Sequence, residues 1–521
     1  MDSNQRKIIF VLLIFFVLSL AVFFRLWQIE SLPGGLFPDE AANGQDAVLI
    51  LQGTHTPFFE RGLGRESLYF YLLAGSIGLF GIGVWQIHIV SALIGILSVV
   101  AAWLLAKSLF GRKAALITAF FMATSTWHTT LSRTGFRAIL IPLLATLFFY
   151  FAYLVIKEEK HKKRVLWAIL SGASLGLGFY TYISFRAMLA ILGLIAVIIF
   201  VIQRDAFKKF WRELIIASLS SFIVAAPLAL YFLGHPGSFT GRAGCVSIFN
   251  PDLNQGDFWG TFLGVIEKTF LMFFTQGDLN WRHNVSGMSM LNPVAACFFA
   301  LFILICLGFL IKERLNFFKK YFKYCVLIIW FLGMLGPAML SAQAIPHGLR
   351  AIGAMPAVFL FSALGLMFFW EKIGRIFKDK FVLVLALAML LLTGAVYDFN
   401  LYFNVDANSS EFYYAYRSDL TVVSDYLNER NLKKKTYLVL DEYSVQTPEY
   451  LTLGNNQPYI LVDPATSYKR KMSSGDQIVF TQSTMFDTKK YKEENQDIKI
   501  VKQEFNKFGQ EIMRVYEPFQ N

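Results

Sequence analysis

Apolar runs of close to 20 residues recur along the first 400 residues, separated by short turns rich in Lys and Arg. A helix needs about 20 apolar residues to cross the hydrocarbon core of a bilayer. The pattern therefore predicts a polytopic α-helical membrane protein with about 11 spans. The predicted spans are 8–27, 86–106, 114–128, 138–156, 165–183, 187–202, 214–232, 293–311, 325–341, 351–369 and 381–397.

One further apolar run, 68–83, decides the topology. If it crossed the membrane, the basic turns that follow would face the side opposite Arg6 and Lys7. If it lies in the interface as a juxtamembrane helix, every basic turn is cytoplasmic, as the positive-inside rule requires. We therefore predict a cytoplasmic amino terminus and an outer carboxyl terminus. The basic turns are 111–113, 157–164, 204–212, 312–323 and 372–380.

The amino-terminal apolar run follows Arg6 and Lys7 and resembles a signal peptide. It lacks a small-residue cleavage site and is long enough to span, so we interpret it as an uncleaved first helix.

The pattern changes from about residue 399 to polar and charged positions with short strand-like runs. These runs are 437–440, 459–462, 477–480 and 498–501, with a helix-like stretch at 421–429. Short strands alternating with helices predict a small soluble α/β domain. The predicted organisation is a transmembrane domain at 1–398, including a first outer loop at 28–85, and an extracytoplasmic α/β domain at 399–521.

Composition supports the membrane assignment, since 55% of the 521 residues are hydrophobic and the mean hydropathy is +0.50. The net charge of +12 does not predict a nucleic-acid partner, because Lys and Arg lie in the turns that set topology. Four cysteines show no disulfide framework and no metal-ligand spacing. The sequence indicates no cofactor and predicts no metal site, and it leaves a bound divalent metal open.

The first outer loop carries two adjacent carboxylates, Asp39 and Glu40, directly after Phe37 and Pro38. Pro precedes a helix-compatible segment, so an acidic residue falls at the helix cap or first turn. A helix cap is the structural interpretation. A helix amino terminus also favours the ionised carboxylate that a general base requires, so the two interpretations are compatible.

Isolated arginines lie at the outer ends of the predicted spans, where the positive-inside rule argues against them. Each one alone is explained by a side chain reaching the lipid headgroups. As a set, their guanidinium groups could hold a phosphate or pyrophosphate. The predicted phosphate-binding residues are Arg65, Arg133, Arg137, Arg186 and Arg350, while Arg61 and Arg242 share the location without being assigned to the site.

Two outer loops, 277–284 and 344–350, are unusually polar for segments that flank spans. Loops that mix Asp, Arg, His and Asn face ligands about as often as they form simple turns. The secondary site candidates are Glu66, Tyr182, Asp278, Arg282, His283 and His347.

Together these motifs resemble the GT-C membrane glycosyltransferases, in the branch of the 4-amino-arabinose lipid A transferases and protein O-mannosyltransferases. The resemblance covers about residues 1–400 and is most specific at the acidic pair. The motifs that carry it are Phe37-Pro38-Asp39-Glu40, the stretch 68–72, Ser132-Arg133-Thr134-Gly135-Phe136-Arg137, Tyr180-Thr181-Tyr182 with Arg186, and His347-Gly348-Leu349-Arg350.

The resemblance implies inverting transfer of a sugar from a polyprenyl-phosphate donor to a lipid, glycan or protein acceptor on the outer face. It gives Asp39 the role of orienting or deprotonating the acceptor and gives basic residues the donor phosphate; Glu40 is its structural or electrostatic partner. Many relatives also place an acidic residue in the second outer loop, but 128–138 contains no Asp or Glu. Arg133 and Arg137 would make that loop a phosphate contact instead.

Two other functions stay open as alternatives. A transporter usually has ionisable groups near the bilayer midplane and an internal repeat, whereas here the ionisable groups cluster at span ends. A lipid-linked polysaccharide polymerase or ligase would also carry large outer loops with arginines. The acidic pair so soon after the first span favours the glycosyltransferase.

Overall fold

The computed structural model describes residues 3–314, 316–377, 379–429, 434–455 and 459–519. Most of the chain to residue 408 is helical, and a small mixed sheet follows it. The helices are α1 (Ser3–Leu26), α2 (Pro38–Leu51), α3 (Leu68–Phe80), α4 (Val84–Phe110), α5 (Arg112–Thr124), α6 (Thr126–Ser132), α7 (Leu140–Lys157), α8 (His161–Gly178), α9 (Ala187–Ile202), α10 (Arg204–Gly234), α11 (Pro236–Val246), α12 (Pro251–Asn254), α13 (Phe258–Leu271), α14 (Pro293–Glu313), α15 (Asn316–Lys320), α16 (Phe322–Met339), α17 (Met355–Ile376), α18 (Lys380–Phe399), α19 (Ser410–Ala415), α20 (Ser418–Glu429), α21 (Gln446–Leu451) and α22 (Asp487–Glu494).

Within the described residues, nine helical segments are long and apolar enough to cross a membrane. The chain is accordingly a polytopic helical membrane protein, and the predicted number of spans stays a prediction. The predicted span at 114–128 divides into α5 and α6, because Ser125 breaks the helix and caps α6 through the amide of His128. The run predicted at 68–83 forms α3, which at 13 residues is shorter than a spanning helix.

The described residues form the strands β1 (Phe58–Phe59), β2 (Arg65–Glu66), β3 (Thr436–Val439), β4 (Ile460–Val462), β5 (Gln477–Thr481), β6 (Ile498–Phe505) and β7 (Glu511–Pro518). The carboxyl-terminal sheet has the order β4-β3-β5-β7-β6. Strand β3 runs parallel to both of its neighbours, β4 and β5. Strand β7 runs antiparallel to both of its neighbours, β5 and β6. Apolar clusters cover both faces, one around Leu438 and Val479 and the other around Val439 and Phe480. The predicted α/β architecture of this segment is confirmed.

The chain forms two compact units. The first comprises 1–27, 55–69 and 91–406 and contains most of the long apolar helices. The second comprises 28–54, 70–90 and 407–521, so the carboxyl-terminal sheet shares a unit with the segment that follows α1. Asp39 and Glu40 therefore belong to the second unit, and the predicted phosphate-binding arginines belong to the first.

Candidate active site

The acidic pair lies in the first turn of α2, which begins at Pro38 after an extended Phe37. Proline suits this position because its fixed φ matches the helix and its missing N–H would have had no helical partner. The backbone N–H of Phe37 donates to Oε2 of Glu40 at 3.0 Å, which ties down the helix start. The turn is therefore fixed by Glu40 and not by Asp39.

Glu40 is also held from α4. Its Oε1 lies 3.3 Å from Nε2 of His88, and both side chains are fully buried. Asp39, by contrast, is exposed. The two neighbouring carboxylates consequently have different environments: Glu40 is locked inside the second unit, while Asp39 faces outward where the positive end of the helix dipole stabilises its charge.

In the first unit, a short hairpin presents Glu66. Its strands β1 and β2 pair antiparallel, and the connection uses Gly62 at φ 60° and Gly64 at φ 93°. A Cβ at Gly64 would lie 2.3 Å from the ring of Phe58, so the hairpin requires glycine there. Glu66 is thereby buried on a rigid two-stranded support.

Two predicted arginines converge on Glu66. Its Oε2 lies 3.2 Å from Nε of Arg137, and its Oε1 lies 3.7 Å from a terminal nitrogen of Arg186. Arg186 also donates to the carbonyl of Phe239 at 2.6 Å. A single carboxylate therefore bridges guanidinium groups that precede α7 and α9.

Tyr182 is the centre of a second convergence. The guanidinium carbon of Arg137 lies 5.1 Å from its ring centroid, and that of Arg242 lies at 5.6 Å. Arg350 interacts electrostatically with both Tyr182 and Arg242. Its guanidinium is oriented by the hydroxyl of Ser341 and by the Gln343 carbonyl, the latter at 2.9 Å.

We call Arg137, Arg186, Arg242 and Arg350 the arginine cluster. Two carboxylates, Glu66 and Asp278, interact with this cluster. Several partly buried guanidinium groups in one place suit a ligand with phosphate oxygens, which can accept several parallel N–H donors.

The polar loops predicted as secondary candidates meet at Asp278. Its Oδ2 accepts from Nδ1 of His283 at 2.8 Å and from the amide of Gly348 at 2.7 Å. The rings of His283 and His347 stack at 4.8 Å. Burial lowers the pKa of His283 and of His347, and the charge of Arg350 lowers both further. These shifts favour the neutral form of each imidazole.

Asp278, His283 and His347 also fit a divalent cation. Each offers one ligand atom, and these atoms lie within 4.8 Å of one another. A carboxylate with two neutral imidazoles is a donor set that Zn²⁺ accepts, with room for a further ligand. A cation there would add positive charge beside Arg350 when bound.

Comparison with known proteins gives a match to one family model and matches to solved structures. A family model described as dolichyl-phosphate-mannose-protein mannosyltransferase matches residues 67–231. No curated protein sequence matches the chain. The structure of ArnT from Cupriavidus metallidurans bound to undecaprenyl phosphate matches with a TM-score of 0.54 at 13% identity, covering 99% of this chain and 98% of ArnT.

The Archaeoglobus fulgidus oligosaccharyltransferase tethered to an acceptor peptide matches with a TM-score of 0.50 at 13% identity, over 100% of this chain and 75% of that protein. These likenesses show a shared fold, and the family match covers the segment from Ser67 to Tyr231 that carries Arg137, Tyr182 and Arg186. The chain therefore has the GT-C membrane fold, and its residues 67–231 match the mannosyltransferase family model. The predicted resemblance to the GT-C glycosyltransferases and the predicted fold class are confirmed.

Not every predicted arginine joins the cluster. Arg133 donates to the carbonyls of Phe24 at 3.2 Å and Trp27 at 2.7 Å, which lie at the end of α1. Its guanidinium also lies over the rings of Tyr402 and Phe403. The structure thus gives Arg133 a role in capping α1, because the last carbonyls of a helix need donors.

Arg65 and Arg282 were also predicted as site residues. Arg65 is buried beside Glu66 in β2, and Arg282 lies 5.7 Å from the ring of Phe136. The sequence prediction omitted Arg242, which lies on α11 against Tyr182. The signal that could have found it was its outer position, shared with the arginines that were assigned.

Proposed function

We propose that this glycosyltransferase transfers a sugar, with inversion, from a polyprenyl-phosphate donor to a lipid, glycan or protein acceptor on the outer face of the membrane. The fold neighbour ArnT has been observed with undecaprenyl phosphate, and the archaeal oligosaccharyltransferase with an acceptor peptide. The donor class follows from the first likeness together with the arginine cluster. For the acceptor, the proposal covers the three classes of lipid, glycan and protein.

The donor phosphate is assigned to the arginine cluster, with Arg137, Arg242 and Arg350 around Tyr182. This convergence is the observation that carries the proposal. When the glycosidic bond breaks, negative charge develops on the departing lipid phosphate. Preoriented guanidinium groups stabilise that charge without reorganising during the reaction.

Asp39 is assigned as the base that orients or deprotonates the acceptor, with Glu40 as its structural partner. An attacking hydroxyl needs a carboxylate to take its proton, and an inverting transfer needs one such base on the face opposite the leaving group. The exposure of Asp39 and the burial of Glu40 support this division.

The proposed organisation has a cytoplasmic amino terminus, 68–83 in the membrane interface, a transmembrane domain at 1–398 and an extracytoplasmic domain at 399–521. It rests on the positive-inside rule, since one assumption places every basic turn in the cytoplasm. In this orientation the first outer loop and the loops of the arginine cluster lie on the outer face.

Asp39→Asn tests the proposal in purified protein supplied with radiolabelled undecaprenyl-phosphate sugars and an envelope fraction of the host cell as acceptor. Turnover should fall by orders of magnitude, while the affinity for undecaprenyl phosphate and the melting temperature stay close to those of the parent protein. Glu30→Gln, an exposed carboxylate in the same loop, is the matched control. Near-normal turnover of Asp39→Asn would refute the base assignment.

A further inference from the structure

The second unit joins the segment that carries Asp39 to the carboxyl-terminal sheet. The Thr447 hydroxyl on α21 donates to the carbonyl of Leu36 at 2.9 Å, in a buried position three residues before Asp39. On α2, Nε2 of Gln45 donates to the carbonyl of Gln446 at 3.0 Å. Hydrogen bonds to α21 therefore restrain the chain on both sides of Asp39.

Two close approaches tighten this contact. A Cβ at Gly44 would lie 2.5 Å from the ring of Tyr450, which is fully buried on α21. A Cβ at Gly35 would lie 2.6 Å from the carbonyl oxygen of Tyr416. Both distances are shorter than any carbon contact tolerates, so glycine at each position allows the first outer loop to lie directly on the carboxyl-terminal segment.

α21 is itself firmly anchored. It follows buried strand β3 through a turn in which Oδ1 of Asp441 accepts from the amides of Tyr443 and Ser444 at 3.1 and 2.9 Å. Buried Arg417 bonds both Ser444, at 2.7 Å, and Asp419 on α20. The ring of Tyr443 in the same turn contacts the ring of Phe37 at 5.9 Å. The position of the sheet is thus transmitted to the start of α2.

We propose that the carboxyl-terminal α/β domain is a positioning element of the active site, in which α21 fixes α2 so that Asp39 is held where the acceptor hydroxyl is deprotonated. Thr447 is the positioning residue, and the ring of Tyr450 sets only how closely α2 can approach α21. The proposal rests on the assignment of Asp39 as the base. A base must lie within hydrogen-bond reach of the proton it removes, and misplacement by about 1 Å can cost on the order of a hundredfold in rate.

Thr447→Val tests this directly, because it removes the hydroxyl that binds the Leu36 carbonyl and keeps the side-chain shape. Turnover should fall about tenfold or more, with unchanged affinity for undecaprenyl phosphate. Thr447→Ser keeps the hydroxyl and should retain turnover. The matched control is Thr452→Val, since the buried Thr452 hydroxyl at the end of α21 donates to the carbonyl of Pro448 in the same helix. Equal turnover in Thr447→Val and Thr452→Val would overturn the proposal.

A second pair of variants covers the case in which Thr447→Val folds poorly. Gly44→Ala should push α2 away from Tyr450 and lower turnover, and Tyr450→Leu in the same protein should restore it by clearing the ring. Tyr450→Leu alone is the control. Failure of the double variant to regain turnover while it remains folded would contradict a positional cause.

The Asp39→Asn background separates this proposal from the proposed function. If Thr447 acts through Asp39, Thr447→Val should not lower the residual turnover of Asp39→Asn any further. The reason is that two substitutions that act through the same catalytic group do not have additive effects on turnover. The same fold-loss in both backgrounds would overturn the positioning role. High turnover in Asp39→Asn itself would instead refute the base assignment.

Discussion

The Nε2 atom of His88 lies 3.3 Å from Oε1 of Glu40, and both side chains are fully buried. This pair attaches the first turn of α2 to α4 and leaves the next carboxylate, Asp39, exposed. A carboxylate that is buried and already bonded is poorly suited to accept a proton from a diffusing acceptor. The geometry therefore favours Asp39 as the base and makes Glu40 its support.

Glu40→Ala should destabilise the second unit and lower turnover, although Asp39 is unchanged. The substitution removes the acceptor of the Phe37 amide and the carboxylate beside buried His88, and leaving a partly buried donor without its acceptor costs about 1 to 3 kcal/mol in the free energy of unfolding. Thermal unfolding and turnover measure the effect. Glu30→Ala serves as the exposed control, and equal stability of the two variants would show that the pair contributes little.

Arg350 and Arg137 should each contribute to the affinity for the donor phosphate. A buried charged hydrogen bond is worth roughly 1.5 to 3 kcal/mol, so either Ala variant should lose about tenfold or more in affinity. Lys should be a poor substitute, because it is a point charge without the planar fork of Arg. Binding of undecaprenyl phosphate to the four variants is the measurement, with exposed Arg61→Ala as control. Unchanged affinity in all four would remove both residues from the site.

Substitution of Arg242 and of Arg133 should affect different properties, phosphate affinity for the first and melting temperature for the second. Both were predicted alike, as isolated arginines at the ends of spans. Arg242→Ala should weaken undecaprenyl phosphate binding about tenfold, since its guanidinium lies in the arginine cluster at Tyr182. Arg133→Ala should lower the melting temperature instead, because the last carbonyls of α1 lose their donors. Phosphate affinity measured on the folded fraction separates the two, and a loss of affinity in Arg133→Ala alone would reverse the assignment.

The triad of Asp278, His283 and His347 should bind a divalent cation. We expect the purified protein to retain close to one equivalent of Zn²⁺ by elemental analysis, and a chelator to lower its melting temperature. Asp278→Asn and His347→Gln should lose the metal, whereas exposed His235→Gln should keep it. Equal metal content in all of these variants would exclude the triad as ligands.

The fold was largely predictable, because spanning helices and short strands leave strong hydrophobic patterns. Four of the five strands of the carboxyl-terminal sheet were predicted, and β7 was not. Its sequence places Arg514 between Met513 and Val515, and Tyr516 follows directly, so buried positions do not alternate simply with polar ones. The pairing of β7 between β5 and β6 depends on tertiary contacts that no local pattern contains.

The site was only partly predictable. The acidic pair stood out because the chain has few carboxylates near its spans, yet the sequence alone left open whether Asp39 or Glu40 was the helix cap. The arginines shared one signal, an outer location against the positive-inside rule. That signal cannot separate Arg133, which binds carbonyls more than 100 residues away in sequence, from Arg242, which joins the cluster.

Labelling with an impermeant thiol reagent should establish the orientation of the chain. Lys162 lies in the basic turn 157–164 and Ser473 in the carboxyl-terminal domain, and both are exposed. In a variant without Cys245, Cys297, Cys306 and Cys325, Lys162→Cys should react only after the membrane is permeabilised, because the positive-inside rule places that turn in the cytoplasm. Ser473→Cys should react in intact spheroplasts and provides the matched positive control. If 68–83 crossed the membrane, the basic turn would lie outside, so reaction of Lys162→Cys in intact spheroplasts would contradict both the topology and the interfacial location of α3.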